Sequence, residues 1–589
     1  GRFPGQIAVV NPRHRQIEGF STAARLHDLS WIPDLAIITA PPHAVTAVIA
    51  EAAERGVPAA LVLSGGLGQG PGSIAEAIEA AARAKGMRLV GPCSVGLIAP
   101  HARLNASVSA HQPLPGDLAL VSQSGAVAAG LVEWGVSRSI GFSGVVSLGE
   151  SLDVDFGDML DYFATDHRTR AILLYVESIR DARKFMSAAR IAARSKPVVV
   201  VKSGRHVPAT GELDTHVAAL ASADAVYDAA FRRAGLLRVR ALDELFAAAE
   251  TMGRLRAFSG RRLAILTNGG GVGGLAADSL LDLGGTLATL SPETRSKLEV
   301  LLPAAWSQDN PVDILRDADE ARYSAAVEAL LEDANSDALL VVNVPTALSS
   351  STEAALALTH AVERQPRNAR HKPVFAVWLG EEASATEALA QVHIPNYRSE
   401  ADAIRGFMHL VRHGEAQAAL METPPSLPED FAVDAAAAQA LVAQVLAQGR
   451  RWLDPVETTQ LFAAYGIPIT PVVVARDAEE AGRAAAPLLA GGNAVAVKIF
   501  SQDIAHKSDV DGVRLNLVSE HAVREAAQAI LRRAREALPD ARIEGVTLHP
   551  MILRPKAREL IAGIANDPTF GPVVVFGRGG TAVEVINDK

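Results

Sequence analysis

The chain has 589 residues, of which 49% are hydrophobic and 21% charged, and its formal net charge is −10. This length and composition describe several globular domains, each able to bury its own core. The charge is spread without a long basic or acidic run, which argues against nucleic acid or an anionic membrane as the main partner. The single cysteine, Cys93, excludes an intrachain disulfide and a cysteine-based metal site. No apolar run approaches the roughly 20 residues that span a bilayer, so we expect a cytoplasmic protein.

Residues 1–115 predict βαβ units around a parallel sheet, because short apolar strands alternate with alanine-rich helices. Each predicted strand ends in a polar or small-residue loop, and ligands bind beside such loops at the carboxyl edge of the sheet. The chain begins and ends within apolar strands, which predicts a fragment cut at both ends. The predicted strands of this region are Ile7–Val10, Leu35–Thr39, Ala59–Ser64 and Arg88–Val90.

Residues 116–255 predict a second α/β unit. Strand Leu118–Val121 runs into Ser122-Gln123-Ser124-Gly125, and a helix begins near Ala126. Free backbone N–H groups and the positive end of a helix suit an anion such as phosphate. An ordinary helix N-cap is the alternative interpretation of this turn.

The same unit contains a glutamate and a histidine at predicted strand ends. Strand Ala171–Val176 stops at Glu177, and strand Val198–Val201 leads into the stretch Lys202–Val239, whose loop carries His216. A histidine delivered to the carboxyl edge of a parallel sheet is a candidate nucleophile, although most loop histidines are solvated or packed.

Residues 256–415 predict a third α/β unit that opens with strand Leu263–Thr267 and the glycine-rich turn Asn268-Gly269-Gly270-Gly271. The backbone amides of such a turn suit an oxyanion or a phosphate. Residues 416–452 contain a proline-rich segment and an Ala/Gln-rich helix, which predicts a linker.

From residue 453 the chain carries parts suited to a triphosphate. Lys498 lies on a predicted inner strand, His506-Lys507-Ser508 lies in the next loop, and Gly579-Gly580 forms a later turn. The lysine neutralises phosphate charge, and the backbone amides bind the phosphate oxygens.

The order of these parts resembles the ADP-forming (NDP-forming) acyl-CoA synthetases, or acetate–CoA ligases. These are similar to succinyl-CoA synthetase and are often fused to an N-acetyltransferase that acts on lysines. The matching phrases follow one order through most of the chain. They are GPCSVGLIAP, LVSQSGAVA, VDFGDMLDYFATD, YVESIRDARKF, VVVKSGR, SADAVYDAAFRRAG, LTNGGGVG, NPVDI, VKIFSQDIAHKSDVDGV and FGPVVVFGRGGTAVEVI.

The resemblance implies a multidomain α/β fold. We expect a Rossmann-like CoA-binding domain at 1–115, truncated at its N-terminus, and a flavodoxin-like succinyl-CoA synthetase domain with a phosphohistidine loop at 116–255. A second flavodoxin-like ligase domain at 256–415, the linker at 416–452 and a partial ATP-grasp domain at 453–589, truncated at its C-terminus, complete the expectation.

The implied reaction converts ATP, a carboxylic acid and CoA into acyl-CoA, ADP and phosphate, through an acyl phosphate and a phosphohistidine. The phrase THVAALASADAV places His216 at the phosphorylated position, and Glu177 corresponds to the carboxylate that fixes its tautomer. Ser122–Gly125 and Gly269–Gly273 would each present a helix N-terminus to the phosphoryl group, one from either side. Positioning of this kind supplies most of the rate of such transfers.

The resemblance also implies the other ligand sites. For CoA these are Asn11, Pro12, Thr39, Gly91 and Pro92, and for ATP they are Lys498, His506, Lys507, Ser508, Glu559, Gly579 and Gly580. His506 has a second interpretation, as a further phosphoryl carrier. We expect Mg²⁺ with ATP, bound by residues beyond Lys589, and acetate is the family expectation for the acid.

Several residues depart from the family pattern. Cys93 replaces an asparagine after Gly91-Pro92, Glu150 replaces an asparagine after Gly149, Val217-Ala218 replace Thr-Gly beside His216, and Asp511 replaces a glycine. These changes keep open a second hypothesis, a CoA- or acyl-CoA-sensing regulatory module of a protein lysine acetyltransferase.

We favour the enzyme because His216 and Glu177 are retained, and a plain scaffold fits poorly with so many glycine-rich turns at strand ends. The expected partners are small molecules, namely a short-chain acid, CoA and ATP, with no nucleic acid and no membrane. A homo-oligomer and an acetyltransferase domain outside residues 1–589 are further expectations of the resemblance.

Overall fold

The computed structural model describes residues 3–137, 140–205, 223–255, 258, 260–365, 372–380, 383–423, 426, 433–490, 492–504, 507–552, 554 and 556–579. His216, Val217, Ala218, His506 and Gly580 lie outside these described residues. The chain divides into two compact units, residues 1–422 with 560–589 and residues 423–559. Within the described ranges, no helix has both the length and the apolar character needed to cross a bilayer.

The N-terminal part contains a three-stranded parallel sheet in the order β4-β5-β6. The predicted first strand is not part of it, because Val9–Val10 pairs with Phe20–Ala23 in a separate small sheet. The apolar faces of the two helices cover the parallel sheet. The elements are β1 (Val9–Val10), β2 (Gln16–Ile17), β3 (Phe20–Ala23), β4 (Ala36–Ile38), α1 (Pro42–Glu54), β5 (Ala59–Val62), α2 (Ile74–Arg83) and β6 (Arg88–Val90).

A seven-stranded sheet in the order β13-β12-β11-β9-β10-β7-β8 forms the next layer. Strands β9 to β13 are parallel, and β7 and β8 extend the sheet antiparallel along β10. The central strands are apolar on both faces, because helices cover both sides of a parallel sheet. The elements are β7 (Gly96–Ala99), β8 (Leu104–Ser107), β9 (Pro115–Ser122), α3 (Gly125–Ser137), β10 (Phe142–Ser147), α4 (Phe156–Thr165), β11 (Ala171–Val176), α5 (Ala182–Ser195), β12 (Val198–Lys202), α6 (Ala223–Arg233), β13 (Leu237–Val239) and α7 (Leu242–Arg254).

A second parallel sheet, in the order β15-β14-β17-β18-β19 with β16 beside β14, follows in the chain. One apolar cluster includes residues of both large sheets, among them Leu120 and Ile265, so the two layers share a core. The elements are β14 (Arg262–Thr267), α8 (Gly270–Asp282), β15 (Thr286–Leu287), α9 (Pro292–Leu301), β16 (Val312–Asp313), α10 (Glu320–Glu332), β17 (Ala338–Asn343), α11 (Ser351–Glu363), β18 (Val374–Trp378), α12 (Ala383–Gln391), β19 (Asn396–Tyr397) and α13 (Glu400–Met421).

The unit of residues 423–559 has an antiparallel sheet in the order β20-β23-β21-β22, with its core against two helices. Strands β24 and β25 form a long hairpin that groups with the larger unit. The elements are α14 (Ala435–Ala447), α15 (Pro455–Ala464), β20 (Val473–Ala475), α16 (Ala478–Leu489), β21 (Val495–Ser501), β22 (Val513–Leu517), α17 (Glu520–Ala537), β23 (Ile543–Pro550), β24 (Leu560–Asp567) and β25 (Gly571–Arg578).

Candidate active site

The predicted turn Ser122–Gly125 links β9 to α3 at the carboxyl edge of the seven-stranded sheet. Ser122 is fully buried, and its hydroxyl donates to the Ser124 carbonyl at 2.8 Å. The Ser124 hydroxyl accepts from the Val127 N–H at 3.4 Å, as an N-cap does. Gly125 has no room for a side chain, because a Cβ there would lie 2.3 Å from Cγ1 of Val95. The helix therefore starts in close contact with Val95, which follows the β4-β5-β6 sheet in the chain.

Gln123 holds the end of the neighbouring strand. Its side-chain Oε1 accepts from the backbone N–H groups of Glu177, at 2.7 Å, and of Ser178, at 2.9 Å. Gln123 is 9% exposed, and its Nε2 donates to the Ser178 hydroxyl at 3.5 Å. The predicted phosphate-binding glutamine thus uses its carbonyl oxygen to fix the peptide that carries Glu177.

Glu177 follows β11 directly, and its side chain is exposed at the sheet edge. Lys202 ends the adjacent strand, where its Cα is the register partner of Val176. The Lys202 ammonium donates to the Ser203 carbonyl and lies 4.7 Å from the centre of the Tyr227 ring. Burial lowers the pKa of Lys202, while the charges of Asp224 and Glu177 oppose that shift. A carboxylate and a partly desolvated cation therefore lie at neighbouring strand ends.

The Tyr227 ring also meets the hairpin of β24 and β25. Phe570, in its tip, packs edge-on against Tyr227 with ring centroids 5.1 Å apart. Asp567 shapes this tip by accepting from the N–H groups of Thr569 and Phe570, each at 2.8 Å. The hairpin thus contacts the helix that borders Lys202.

In the glycine-rich turn after β14, as in the turn after β9, a side-chain amide binds backbone groups at the end of a neighbouring strand. Asn268 is 2% exposed, and its side-chain amide donates to the Val344 carbonyl at 2.8 Å and accepts from the Val344 N–H at 2.7 Å. Helix α8 begins at Gly270, where an added Cβ would lie 2.7 Å from Oδ2 of Asp313. A carboxylate thus already faces the positive end of this helix, where its charge is favourable. Gly271, in contrast, is open on its side-chain face.

Three of the predicted CoA residues share the carboxyl edge of the β4-β5-β6 sheet. Thr39 follows β4, and Gly91 and Pro92 follow β6. The Ser64 hydroxyl, after β5, donates to the Ala40 carbonyl and ties the first two loops together. The Ser64 carbonyl accepts from the Cys93 N–H at 3.0 Å, which fixes the third loop.

Asn11 and Pro12 belong to a different sheet, because β1 pairs with β3. The Asn11 carboxamide oxygen accepts from the N–H groups of Arg13, at 2.8 Å, and His14, at 3.0 Å. Its side chain therefore closes its own turn, while Pro12 is exposed.

The loop Gly149–Leu152 joins the turn at Gly91–Pro92 to the seven-stranded sheet. The Glu150 N–H donates to Pro92 O and the Leu152 N–H to Gly91 O, each at 3.0 Å. Ser147, at the end of β10, accepts from the Ser94 hydroxyl through its carbonyl at 2.6 Å. Glu150, which departs from the family pattern, is exposed.

In the smaller unit, Lys498 lies on β21 opposite Thr547 of β23. His549 lies two residues further along β23. Its Nε2 shares a hydrogen bond with the Thr547 hydroxyl at 3.1 Å. Burial, followed by the charges of Lys498 and Lys507, lowers the pKa of His549 to about 4. Lys498, Thr547 and His549 therefore share one face of this sheet, where burial and positive charge favour the neutral form of the imidazole.

The loop after β21 folds back on that strand. Gly512 N–H donates to the Lys507 carbonyl at 2.8 Å, and Asp511 N–H donates to the Ser508 carbonyl at 3.1 Å. The Asp511 carboxylate pairs with both terminal nitrogens of Arg514, at 2.6 and 2.7 Å, and with Arg533. The negative charge that Asp511 brings to this loop is thus compensated by two arginines.

The remaining predicted ATP residues lie near the hairpin. Glu559 is exposed directly before β24, and Gly579 follows β25. These residues belong to different units, since the division falls between 559 and 560. No group of three or more His, Cys, Asp or Glu side chains within the described ranges is placed to hold a metal ion.

Sequence patterns did not reveal the roles of Lys202, His549 or Asp313. Lys202 ends a run of valines and His549 precedes a proline. The only signal that the sequence offered was the position of a lysine at the end of a predicted strand. Their significance depends on which strands are neighbours, and that follows from the sheet order.

Four family profiles match the chain in the order of its domains. They are the CoA binding domain at residues 4–100, the succinyl-CoA ligase like flavodoxin domain at 115–252, the Ligase-CoA domain at 263–405 and the ATP-grasp domain at 444–589. The four matches cover the parts of the fold described above.

Two proteins that are similar over the whole chain are named ADP-forming acetate–CoA ligases. The chain is 36% identical to acetate–CoA ligase (ADP-forming) I of Archaeoglobus fulgidus over 591 residues, which cover 100% of this chain and 83% of that protein. It is 30% identical to acetate–CoA ligase (ADP-forming) of Methanocaldococcus jannaschii over 598 residues, with the same two coverages, 100% and 83%.

A solved structure is also similar over most of the chain. It is the "dinucleotide forming" acetyl-coenzyme A synthetase 1 of Ca. Korarchaeum cryptofilum, in complex with phosphate and ADP. The TM-score is 0.61 at 29% identity, and the match covers 72% of this chain and 92% of that one.

Proposed function

Because the chain belongs to the family of ADP-forming acetate–CoA ligases, we propose that it converts ATP, a short-chain carboxylic acid and CoA into acyl-CoA, ADP and phosphate. Acetate is the first acid to test. The observation that carries the proposal is the position of Glu177 at the end of β11. Gln123 fixes the Glu177 peptide, and Lys202 ends the neighbouring strand. A carboxylate held at this edge is the group that a phosphohistidine needs.

In this proposal His216 is phosphorylated by ATP, and Glu177 fixes the tautomer of the imidazole and stabilises its cationic phosphorylated form. The phosphoryl group then passes to the carboxylate oxygen of the acid, and the P–N bond breaks as the acyl phosphate forms. The sulfur of CoA attacks the acyl carbon, and inorganic phosphate leaves. The amides at the start of α3 and the Gly271 end of α8 stabilise the phosphoryl oxygens.

The nucleotide belongs, in the same proposal, to the face of β21 and β23 that carries Lys498 and His549, together with Lys507 and Ser508. Lys498 and Lys507 neutralise phosphate charge. Mg²⁺ enters as the ion that accompanies the ATP phosphates, because such sites use few protein ligands. Glu559, His506 and the Gly579–Gly580 turn remain predicted contacts of the nucleotide.

The turn Gly91–Pro92 and Thr39 bind CoA in this scheme, and Asn11 and Pro12 border it. The regulatory-module hypothesis has no support in the names of the similar proteins. An associated acetyltransferase, a homo-oligomer and a cytoplasmic location stay predictions from the sequence.

The test uses full-length protein with γ-labelled ATP and Mg²⁺. We expect an acid-labile, base-stable label on the wild type and none on His216→Asn. His206→Asn is the matched control, because His206 is another histidine of the sequence stretch Lys202–Val239, and it should keep the label. An unlabelled wild type, or a label that persists in His216→Asn, contradicts the proposal. Acyl-CoA formed from acetate, ATP and CoA then measures the complete reaction.

A further inference from the structure

Arg180 fastens two loops that border the candidate site. Its Nη1 donates to the carbonyl oxygens of Ser151 and Leu152, each at 2.8 Å. Arg180 lies three residues after Glu177, in the connection between β11 and α5. The guanidinium therefore ties the loop Gly149–Leu152 to the segment that begins with the candidate catalytic carboxylate.

The other side of the same loop is bound to the predicted CoA turn. Its N–H groups at Glu150 and Leu152 donate to the carbonyls of Pro92 and Gly91, each at 3.0 Å. The Cys93 carbonyl and Pro92 carbonyl also pack so closely on Gly149 that an added Cβ would meet Pro92 O at 2.1 Å. Carbonyls of the loop thus face Arg180, while its N–H groups face the CoA turn.

The loop holds a conformation that needs such support. Gly149 has φ +57° and Ser151 has φ +51°, a backbone region that is unfavourable for a serine. The Ser151 hydroxyl is buried and has no hydrogen-bond partner among the described residues. Residues in sparsely populated conformations persist when their surroundings over-determine them. Hydrogen bonds from Arg180 on one side and to Gly91 and Pro92 on the other supply that constraint.

We propose that Arg180 is a positioning residue that fixes the CoA-binding turn Gly91–Pro92 relative to Glu177, by way of the loop Gly149–Leu152. This inference rests on the proposed function, because it gives the turn and the carboxylate their roles. A turn that is already held in one conformation binds CoA without the cost of ordering it, so release of the turn costs affinity. The same turn places the sulfur of CoA in a near-attack geometry towards the acyl phosphate, so its displacement also costs rate. Phosphorylation of the histidine by ATP does not involve CoA and is independent of this link.

The test compares Arg180→Gln and Arg180→Lys with Arg170→Gln. Arg170 is the matched control, because it flanks the opposite end of β11 and binds Asp117 and the Ala249 carbonyl. For Arg180→Gln we expect the Kd and KM of CoA to rise about tenfold, while labelling by ATP stays within about twofold of the wild type. Arg180→Lys should recover part of the CoA affinity, because an ammonium can reach both carbonyls. Arg170→Gln should lower Tm and leave CoA binding unchanged.

CoA affinity is measured by calorimetry as well as by steady-state kinetics, so the readout does not depend on turnover. Wild-type affinity for CoA in Arg180→Gln overturns the inference, and so does an equal loss in Arg170→Gln. A loss of labelling as large as the loss of CoA affinity also overturns it, because Arg180 would then act on Glu177. A wild type that binds CoA but is neither labelled nor forms acyl-CoA counts against the proposed function alone.

Discussion

Gln123 and Asn268 hold equivalent positions in the two large sheets, and their side-chain amides perform the same task. Each follows the strand that precedes a glycine-containing helix start, and each binds backbone groups at the end of the next strand in the sheet. Gln123 fixes Glu177 and Ser178, and Asn268 fixes Val344. The amide residues that the sequence predicted as phosphate ligands therefore set the shape of the edge at which a phosphate would bind.

Replacement of Gln123 by leucine should destabilise the protein and weaken histidine phosphorylation. Two backbone N–H groups lose their acceptor, which costs roughly 2–4 kcal/mol of unfolding free energy, and the peptide of Glu177 is released. Gln123→Glu is the control, because a carboxylate can accept both hydrogen bonds. Urea unfolding and γ-labelled ATP give the two readouts, and equal behaviour of the two variants would contradict the role assigned to the amide.

Gly125→Ala should destabilise the start of α3. The new Cβ would lie 2.3 Å from the Val95 side chain, and overpacking of this kind costs roughly 1–3 kcal/mol. Gly130 lies on the same helix with no atom within 4 Å of an added Cβ, so Gly130→Ala should be neutral or stabilising by roughly 0.5–1 kcal/mol. Thermal unfolding of both variants measures the difference. Val95→Ala combined with Gly125→Ala should restore part of the loss, and its failure to do so would place the strain elsewhere.

Acid should weaken the contact between the CoA domain and the seven-stranded sheet. Burial raises the pKa of Asp158, but hydrogen bonds from Lys184, the Asp155 N–H and Arg88 outweigh this and lower it to about 2. Because the unfolded chain binds a proton near pH 3.8, the stabilisation is complete above that pH and is lost as the pH falls towards 2. The difference corresponds to roughly 2 kcal/mol. Asp158→Asn should remove this part of the pH dependence of urea unfolding, and an unchanged slope between about pH 4 and 2.5 would refute it.

Stability of the unit 423–559 should fall between pH 6.5 and pH 4. Burial and the charges of Lys498 and Lys507 lower the pKa of His549 from 6.5 to about 4. In that interval the unfolded chain takes up a proton that folded His549 does not, so protonation favours unfolding. His549→Gln should make the unfolding free energy less dependent on pH in this interval. His521→Gln is the control, because His521 is an exposed histidine on α17 of the same unit. An identical pH profile for the wild type and His549→Gln would disprove the assignment.

Much of the fold could be predicted from the sequence, because apolar strands, alanine-rich helices and Gly-containing turns are local signals. The strands ending at Glu177 and Lys202 lie where the patterns predicted them, and they are neighbours in one sheet. Val9–Val10 was misassigned because a two-residue strand carries no information about its partner. The structural tasks of Gln123, Asn11 and Asn268 were invisible for a similar reason, since a single amide has no sequence pattern.

The predicted domain boundary at residue 115 falls inside the set of strands that form the seven-stranded sheet. The sequence assigns everything before it to the CoA domain, but β7 and β8 extend the sheet that β9 and β10 begin. Helix α13 (Glu400–Met421) likewise runs past the predicted domain limit at residue 415. Long-range pairing decides such limits, and periodicity along the chain does not encode it.

The pairing of β7 with β10 has a practical consequence for dissecting the protein into parts. A fragment that starts at residue 116 would expose the hydrogen-bonding edge of β10, and an open edge of this kind invites association between copies. A fragment that ends at residue 115 would keep the β7–β8 hairpin without the sheet it completes, and an isolated hairpin is marginally stable at best. Domain exchange with similar proteins should therefore keep Gly96–Ala99 and Leu104–Ser107 with the strands that follow them. The crossover belongs in the segment just after Gly91–Pro92, and the Glu150 and Leu152 contacts would then have to be re-formed with the incoming turn.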